Sequence, residues 1–316
     1  MNKIITLAAL FLTVNCAAQN KSHENNLPMN QTTLTLNNGV EIPQFEIGVY
    51  SIPAGEVTYN SVLAALKAGY RHIDTAHAYG NERSVGEAVR DSGIPRDSIW
   101  ITSKLWPNEY GEEVTPKQLD KMLERLGLEY LDLVYLHQPL RDYNGGWKAL
   151  EAALEAGKVR AIGISDFDFN DELFNSIVEP ARIKPQMFQI ECHPYAQREH
   201  WQEMAKKYDI KIECWFPLGG RDSHGEILRD PVIKEIAAAH GKSAAQVIIR
   251  WHIQKGFCVV PGSSNPAHIQ ENIKVFDFEL SSEEMAKIAS LNQEKRYFTM
   301  NYDQIKEWMS DYEIWD

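Results

Sequence analysis

The sequence has few cysteines, and their spacing organises no fold. It contains four, Cys16, Cys192, Cys214 and Cys258. Without Cys16 an odd number remains, and there is neither the CxxC spacing of a metal site nor a disulfide framework. The last three lie inside or beside apolar runs, so we predict that they are buried free thiols and that the chain holds no metal.

A basic patch is also lacking. The 44 Asp and Glu residues outnumber the 32 Lys and Arg residues, which gives a formal net charge of −12. Nucleic acid binding relies on clustered Lys and Arg that displace counterions from phosphates. We therefore exclude nucleic acid as a partner. The 316 residues, 44% of them hydrophobic, suit one large α/β domain with a sizeable core.

No apolar run is long enough to cross a bilayer as a permanent helix. The run at residues 4–14 follows the basic residue Lys3 and precedes Cys16-Ala17-Ala18, an order typical of a secretory signal. We predict a signal peptide at residues 1–18 and a polar linker at residues 19–32. Cleavage after Ala18 would give a soluble exported protein, and lipid modification of Cys16 would give an anchored one. If the signal is misread, the protein is cytoplasmic.

The next segment predicts a hairpin and then strands that alternate with helices. Asn37-Asn38-Gly39 separates two short alternating runs, which indicates a β-hairpin. Eight strand candidates follow: Phe45–Val49, Arg71–Asp74, Ile99–Lys104, Leu131–His137, Val159–Ser165, Met187–Glu191, Ile210–Trp215 and Phe257–Pro261. The helical patterns are Glu56–Ala68, Glu82–Arg90, Pro116–Leu126, Trp147–Ala156, Asn170–Ile177, Arg198–Tyr208, Pro231–Ala239, Ser243–Gln254 and Pro266–Lys274, with a further capped start at Ser281.

Eight strand-helix units predict a single (β/α)8 barrel of the TIM type at residues 33–295. An open doubly wound sheet is the alternative. It is disfavoured because no GxGxxG motif follows the first strand. The aromatic-rich residues 296–316 are expected to form a closing segment or loop rather than a second domain.

Barrel enzymes place their reacting groups at the C-terminal ends of strands. The strand ends here supply Asp74, Lys104, His137, Ser165, Gln189 and Trp215, with Tyr79 just after Asp74. Each of these residue types is commonly structural when taken alone. Together they suggest a tyrosine acid: its reference pKa of about 10 needs the ammonium of Lys104 to stabilise the phenolate, and Asp74 would hold that lysine. An acid with no nucleophile needs an electron donor, and hydride from a nicotinamide is the simplest one.

At these residues the sequence resembles the aldo-keto reductase superfamily, from about Thr33 to Leu291, and bacterial diketogluconate-reductase-like members in particular. The matching motifs are Gly69-Tyr70-Arg71-His72-Ile73-Asp74-Thr75-Ala76, Tyr79-Gly80-Asn81-Glu82, Thr102-Ser103-Lys104-Leu105-Trp106, Leu136-His137-Gln138-Pro139, Gly163-Ile164-Ser165-Asp166-Phe167 and Gln189-Ile190-Glu191-Cys192-His193-Pro194-Tyr195. Pro217-Leu218-Gly219, Val259-Val260-Pro261, Ser263 and Glu271-Asn272 resemble the loops that bind phosphate and adenosine.

The resemblance implies a role for each matching residue. Tyr79 would be the general acid of carbonyl reduction, with its pKa lowered by Lys104. His137 would orient the carbonyl. The residues implied in cofactor binding are Ser165, Asp166, Gln189, Trp215, Leu218, Ser263, His268, Glu271 and Asn272. Those implied in the substrate pocket are Tyr50, Trp106, His137, Gln138 and the aromatic C-terminal segment.

Several positions depart from the family pattern. Asp166 replaces a usual Asn and cannot donate a hydrogen bond unless protonated, and Phe216 replaces a small Ser. Gly262 and His268 stand where the family usually has Lys and Arg on the 2′-phosphate of NADPH. We therefore expect NADH to bind at least as well as NADPH, and both weakly, unless Arg221 or Lys242 reaches the site.

Three functions follow from these patterns. The first is an NADH- or NADPH-dependent reductase of small aldehydes or ketones, with the polar Gln138 favouring a sugar-like carbonyl. The second is an exported barrel that has lost productive cofactor turnover and serves as a binding or accessory protein. The third is a role like that of potassium-channel β-subunits. A monomer is the expected state.

Overall fold

The computed structural model describes residues 31–309 and Ile314. The predicted signal at residues 1–18 and most of the predicted linker lie outside the described residues. The predicted hairpin is confirmed: β1 (Thr33–Thr35) pairs antiparallel with β2 (Glu41–Pro43). Gly39 in the turn has φ +82°, a left-handed conformation that glycine adopts without a Cβ clash.

Eight parallel strands form the barrel: β3 (Ile47–Gly48), β4 (His72–Asp74), β5 (Trp100–Leu105), β6 (Leu131–Leu136), β7 (Val159–Ser165), β8 (Met187–Glu191), β9 (Lys211–Trp215) and β10 (Cys258–Val259). They are hydrogen-bonded to one another in sequence order from β3 to β10.

The sheet closes where the last strand meets the first. Parallel bridges join Phe45 to Val259 and Gly48 to Gly262, and Val259 N donates to Gln44 O at 2.8 Å. A Cβ on Gly48 would lie 2.6 Å from a Val260 methyl carbon, so this approach requires glycine. The predicted (β/α)8 barrel is confirmed and the open sheet is wrong.

The helices surround the barrel: α1 (Glu56–Ala68), α2 (Glu82–Asp91), α3 (Thr115–Leu126), α4 (Tyr143–Glu155), α5 (Asp171–Val178), α6 (Glu199–Lys207), α7 (Pro231–His240), α8 (Ala244–Gln254), α9 (Pro266–Asn272), α10 (Ser282–Ala289) and α11 (Tyr302–Trp308). The predicted capped start at Ser281 is confirmed, since Ser281 and Glu284 form a reciprocal capping box.

Two helices differ from the sequence prediction. Helix α4 begins at Tyr143 instead of Trp147, because the Asp142 side chain accepts a hydrogen bond from Gly145 N and caps the helix across its two glycines. Helix α11 lies in the segment expected to be a loop. Asn301 starts it through a capping box with Gln304, which the aromatic composition of the segment obscured.

Two satellite clusters close the ends of the barrel. At the N-terminal end, Leu36 and Ile42 of the hairpin region pack on Trp100, Leu133 and Tyr135, so the hairpin forms a floor. At the opposite end, Ile305 and Met309 pack with Trp106 and Leu140. The C-terminal segment therefore covers part of the barrel mouth, where barrel enzymes carry their sites.

The predicted buried free thiols are confirmed, since Cys192, Cys214 and Cys258 are all buried and unbridged. None of the helices among the described residues is long and apolar enough to span a membrane.

Candidate active site

Four side chains from neighbouring strand ends meet at the C-terminal mouth of the barrel. Asp74 ends β4, Lys104 lies near the end of β5 and His137 follows β6. Tyr79 ends a short 3-10 turn that begins at His77. Parallel strands bring their C-terminal ends to one face, so residues far apart in sequence become neighbours there.

Lys104 is the centre of this group. Its Nζ donates to Asp74 Oδ1 at 2.6 Å and Oδ2 at 2.5 Å, and to the Thr75 carbonyl at 3.0 Å. The same Nζ lies 3.3 Å from Tyr79 Oη. Lys104 has no exposed surface. A buried ammonium with this partner set is held in one place.

Electrostatics around Lys104 and Tyr79 differ in part from the sequence prediction. Burial raises the pKa of Tyr79, Lys104 lowers it and Asp74 raises it, and the net pKa lies above the ordinary value. Lys104 lowers the pKa of Tyr79 as expected, but burial raises that pKa by more. Burial also lowers the pKa of Lys104, yet Asp74 and Tyr79 raise it above its usual range. The pair is therefore an ammonium beside a protonated phenol, the state in which a tyrosine donates a proton.

His137 faces the tyrosine from the next strand. Its ring lies 5.8 Å from the Tyr79 ring and 5.0 Å from the Trp106 ring. Burial, and then the charge of Lys104, hold the pKa of His137 well below its ordinary value. A neutral imidazole carries one N–H, which suits it to donate a hydrogen bond to a carbonyl oxygen.

Aromatic rings wall the mouth around Tyr79. The Tyr50 ring lies 5.2 Å from Tyr79 and 6.3 Å from Phe216. The Trp215 ring lies 4.7 Å from Phe216 and 5.8 Å from Phe298 of the C-terminal segment. Tyr50 is 57% exposed, so a large aromatic face remains open to a ligand at the rim.

A second polar group adjoins this wall. Asp166 accepts from Gln138 Nε2 at 2.5 Å and from Trp215 Nε1 at 2.9 Å, so it fixes one predicted pocket residue and one predicted cofactor residue together. Burial, and then the charge of Asp168, raise the pKa of Asp166 to about 7. Asp166 also has φ +60°, a strained backbone for a residue other than glycine, of the kind that clusters at functional sites.

The two residues predicted to hold a nicotinamide carboxamide lie side by side. Ser165 Oγ donates to Gln189 Oε1 at 3.3 Å, and Gln189 Nε2 donates to Asp74 Oδ2 at 3.2 Å and to Glu213. Gln189 thus links the Lys104 ion pair to the barrel interior. Amide and hydroxyl groups beside an aromatic indole fit the polar and flat parts of a nicotinamide ring.

The residues predicted to hold phosphate and adenosine follow the last two barrel strands or lie on the next helix. Leu218 follows β9, Ser263 follows β10, and His268, Glu271 and Asn272 lie on α9. Gly262 and His268 are exposed. Lys242, a replacement cation considered from the sequence, donates to both oxygens of Asp277 at 2.7 Å and to the Lys274 carbonyl, so it is committed elsewhere. Arg221 is exposed on the loop after β9.

Three fully buried polar residues in the barrel interior were missed from the sequence. Glu46, His72 and Glu213 have no exposed surface and lie behind Gln189. The available signal was a carboxylate inside each of the apolar runs Phe45–Val49 and Ile210–Trp215, since a charge is seldom buried without a partner. Closure of the barrel brings Glu46, His72 and Glu213 together, so no local sequence pattern predicts that they are neighbours.

Two groups of described residues carry ligand atoms close enough to share a metal ion. The atoms of Glu46, His72 and Glu213 lie within 4.8 Å of one another, and so do those of Cys192, Cys214 and His252. Both groups are buried, and neither includes Asp74, Tyr79, Lys104 or His137. The prediction that the chain holds no metal stays a prediction.

Fold and site together define a barrel oxidoreductase, and comparison with known proteins identifies the family. The family model for the aldo/keto reductase family matches residues 53–293. This chain belongs to the aldo/keto reductase family and is an NAD(P)H-dependent oxidoreductase.

Curated relatives and solved structures agree with this assignment. The chain is 43% identical to glyoxal reductase of Bacillus subtilis over 84% of this chain and 94% of that protein. It is 42% identical to morphine 6-dehydrogenase of Pseudomonas putida, over 82% and 90% respectively. A crystal structure of an aldo/keto reductase from Brucella melitensis superposes with a TM-score of 0.78 at 40% identity, covering 83% of this chain and 99% of that one.

Proposed function

We propose that this enzyme reduces small hydroxylated aldehydes or ketones, with Tyr79 as the general acid. The observation that carries the proposal is the Lys104 ammonium held by Asp74 and lying 3.3 Å from Tyr79 Oη. Ser165, Gln189 and Trp215 would hold the nicotinamide of a dinucleotide, which would supply the hydride for the carbonyl carbon when bound. Tyr79 gives its proton to the carbonyl oxygen, Lys104 stabilises the phenolate that remains, and neutral His137 orients the carbonyl by donating a hydrogen bond.

The substrate class rests on the contact between Gln138 and Asp166. This contact places polar amide and carboxyl groups beside the aromatic wall, a combination that suits a carbonyl compound carrying hydroxyl groups. The names of the relatives cover a small dicarbonyl and a bulky alkaloid alcohol. A panel of aldoses, hydroxyketones, glyoxal and unsubstituted aldehydes tests the class. Higher kcat/KM for hydroxylated members supports it, and a preference for unsubstituted aldehydes of equal length contradicts it.

The cofactor preference rests on the missing cations. A 2′-phosphate gains about 1.5 to 3 kcal/mol from each charge-assisted hydrogen bond. Gly262 offers only backbone, an exposed His268 stands where the family usually has a cation, and Lys242 is bound to Asp277. We propose that NADH binds at least as well as NADPH.

Titration of each dinucleotide by quenching of tryptophan fluorescence checks this preference. The variant Gly262→Lys should raise NADPH affinity and leave NADH affinity near the wild-type value. Strong wild-type selectivity for NADPH, unaffected by His268→Ala, would show that the phosphate is held by other residues.

One observation favours the second function, a barrel with weak turnover. Phe216 stands where a small side chain was expected, against Trp215 and Tyr50, and can crowd the nicotinamide face. Quenching by NADH without carbonyl-dependent oxidation, restored by Phe216→Ser, would favour this role. Oxidation of NADH by the wild-type protein favours the reductase.

We also propose export, on the order of basic, apolar and small residues at positions 1–18. The segment has no twin-arginine pair, so the chain would cross the membrane unfolded and without cofactor. Fractionation of the native host, with N-terminal sequencing, checks this. A mature protein starting at Gln19 or at a lipidated Cys16 supports it, and intact Met1 in the cytosol contradicts it.

A further inference from the structure

Behind the catalytic group, the barrel interior holds a buried carboxyl pair. Glu46 lies just before β3, Glu213 lies in β9 and His72 begins β4, and none has exposed surface. The Leu36 and Ile42 cluster closes the barrel floor beneath them, and the Asp74–Lys104 pair lies on the mouth side. The carboxyl groups are therefore separated from bulk water on both sides.

The hydrogen bonds of this pair are incomplete if both groups are ionised. Within residues 31–309, Glu46 Oε1, Glu46 Oε2 and Glu213 Oε2 are buried without a donor, while Glu213 Oε1 accepts from Gln189. Lys104 makes no hydrogen bond to either glutamate; its described contacts are with Asp74, Thr75 and Tyr79. An unpaired buried carboxylate is strongly disfavoured. The Tyr135 hydroxyl nearby is also without a partner among the described residues and can supply one donor at most, so we assign the remaining donors to protons on the carboxyl groups themselves.

His72 shows where one proton lies. Its Nδ1 is 3.0 Å from the Pro43 carbonyl, which can only accept, so Nδ1 carries the ring hydrogen. Burial lowers the pKa of His72 to about 3, so the ring is neutral and Nε2 presents a lone pair. Glu46 Oε2 lies 3.0 Å from Nε2. Nε2 also lies 2.8 Å from Thr102 Oγ1, whose hydroxyl can donate to it. That bond supplies no hydrogen to Glu46 Oε2, so an ionised Glu46 would still face the Nε2 lone pair without a donor.

A metal ion is a poorer account of the same three residues. They offer three ligands in a closed space, whereas divalent cations usually take four or more. Glu213 is already engaged by Gln189 on one oxygen. Gln189 donates to Glu213. Two carboxyl protons would complete the set, one donated by Glu213 to Glu46 and one by Glu46 to His72 Nε2, which Glu46 shares with Thr102.

We propose that Glu46 and Glu213 are a proton-holding carboxyl pair that positions Gln189 for catalysis. Glu213 and Asp74 together take both amide hydrogens of Gln189, so its Oε1 is kept toward Ser165 and the nicotinamide residues. The inference rests on the proposed roles of Asp74, Tyr79 and Gln189. Glu46 and Glu213 touch neither substrate nor cofactor; they act through Gln189.

The pair also couples pH to the catalytic group. The titratable groups facing it are Asp74 and His72 from β4, Lys104 from β5, Tyr135 from β6, Cys214 beside Glu213 and Cys258 from β10. Burial and the charge of Asp74 raise the pKa of Glu213 to about 7, and burial and Glu213 raise the pKa of Glu46 well above its ordinary value. Below pH 7 the pair holds two protons; above it, one.

Loss of that second proton adds a negative charge behind Asp74. The charge makes the Tyr79 phenolate harder to form, so carbonyl reduction should slow as pH rises through about 7. In a partly shielded interior the slowing should be roughly tenfold or less. Glu213→Gln carries a fixed donor in place of the titrating proton and should remove this fall.

Infrared spectroscopy of the unliganded protein tests the protonation without any assay of activity. At pH 6 the wild type should show protonated-carboxyl C=O bands that shift in heavy water. Glu46→Gln and Glu213→Gln should each remove one of them, and the surface control Glu113→Gln should remove none. A protonated Asp166 contributes a band that remains in both variants. Loss of no band in either glutamine variant, or a stoichiometric metal ion in the wild type that is lost in Glu213→Gln, overturns the proposal.

Steady-state kinetics then test whether Glu213 positions Gln189. Glu213→Leu should weaken NADH binding and turnover through Gln189, and Glu213→Gln should restore both and flatten the pH profile. A fall in kcat at saturating NADH near pH 7 that persists in Glu213→Gln overturns the coupling. If Tyr79→Phe retains full turnover, the proposed function fails, but the infrared bands still decide the protonation of the pair.

Discussion

Lys104 shows how a buried charge is stabilised by its neighbours. It has no exposed surface, and three partners, the Asp74 carboxylate, the Thr75 carbonyl and the Tyr79 hydroxyl, surround its Nζ. Removing one member of such a group leaves the others unpaired, which costs more than the contact contributes. A buried ion pair is weak evidence for stability, so we propose that the pairing of Lys104 with Asp74 serves the chemistry of Tyr79 more than the stability of the barrel.

Asp166 should make cofactor affinity depend on pH. Its pKa is raised to about 7 by burial first and the charge of Asp168 second. The protonated acid can donate to a carboxamide oxygen and the carboxylate cannot. NADH affinity should fall as pH rises from 6 to 8, by roughly 2- to 12-fold for a hydrogen bond of about 0.5–1.5 kcal/mol.

The variant Asp166→Asn keeps an amide donor at every pH, so its NADH affinity should be flat over this range in a fluorescence titration. Glu213→Gln is the matched control, because it removes the other group near pH 7 and should leave the pH dependence of affinity in place. A dependence that persists in Asp166→Asn contradicts the assignment to this residue.

The meeting of Asp74, Tyr79, Lys104 and His137 at one end of the barrel could be predicted from sequence, and their catalytic roles stay predictions; the buried acid pair could not be predicted. Asp74, Tyr79, Lys104 and His137 stand at strand ends inside recognisable motifs, so local pattern was enough. Glu46 and Glu213 are 167 positions apart in the printed sequence. Their partnership, and the raised pKa of Glu213 that follows from it, depend on closure of the barrel.

Helix α11 illustrates how a short element can shape the pocket. Ile305 is fully buried and packs with Trp106 and Met309, so the helix holds one wall of the mouth. Truncating a buried isoleucine to alanine costs about 2–5 kcal/mol. A helix of seven residues gets most of its stability from such packing.

Ile305→Ala should therefore loosen the segment and raise KM for the carbonyl substrate several-fold, while the Kd for NADH stays near the wild-type value. Lys306→Ala, an exposed position on the same helix, is the control and should change neither. Steady-state kinetics and cofactor titration separate the two effects. An increase in the NADH Kd equal to that in KM would argue against a role confined to the substrate wall.

The elements that the sequence missed share a physical reason. Strand and helix periodicity identified every barrel strand, because each is a short apolar run between polar segments. The start of α4 and all of α11 depend on side-chain caps, Asp142 on Gly145 N and Asn301 with Gln304. Caps override weak local propensity and leave little trace in hydrophobic pattern.

The barrel as a whole separates stability from chemistry. The hairpin and the Leu36 cluster close one end, and Asp74, Tyr79 and Lys104 lie at the other. This division lets the mouth carry strained and charged residues, among them Asp166 and the Lys104 group, over a closed core. The sequence predicted the closed barrel from eight repeated units, whereas the closing bridges near Gly48 came from the structure.

Turnover and cofactor binding of Tyr79→Phe, measured on the same preparation, test the assignment of the acid most directly. The variant keeps the ring and removes only the hydroxyl that lies 3.3 Å from Lys104 Nζ. General acid catalysis contributes about 10²–10⁴ in rate, so kcat should fall by that factor while the Kd for NADH stays near the wild-type value. A kcat equal to that of the wild type would show that another group protonates the carbonyl and that Tyr79 is only a pocket residue.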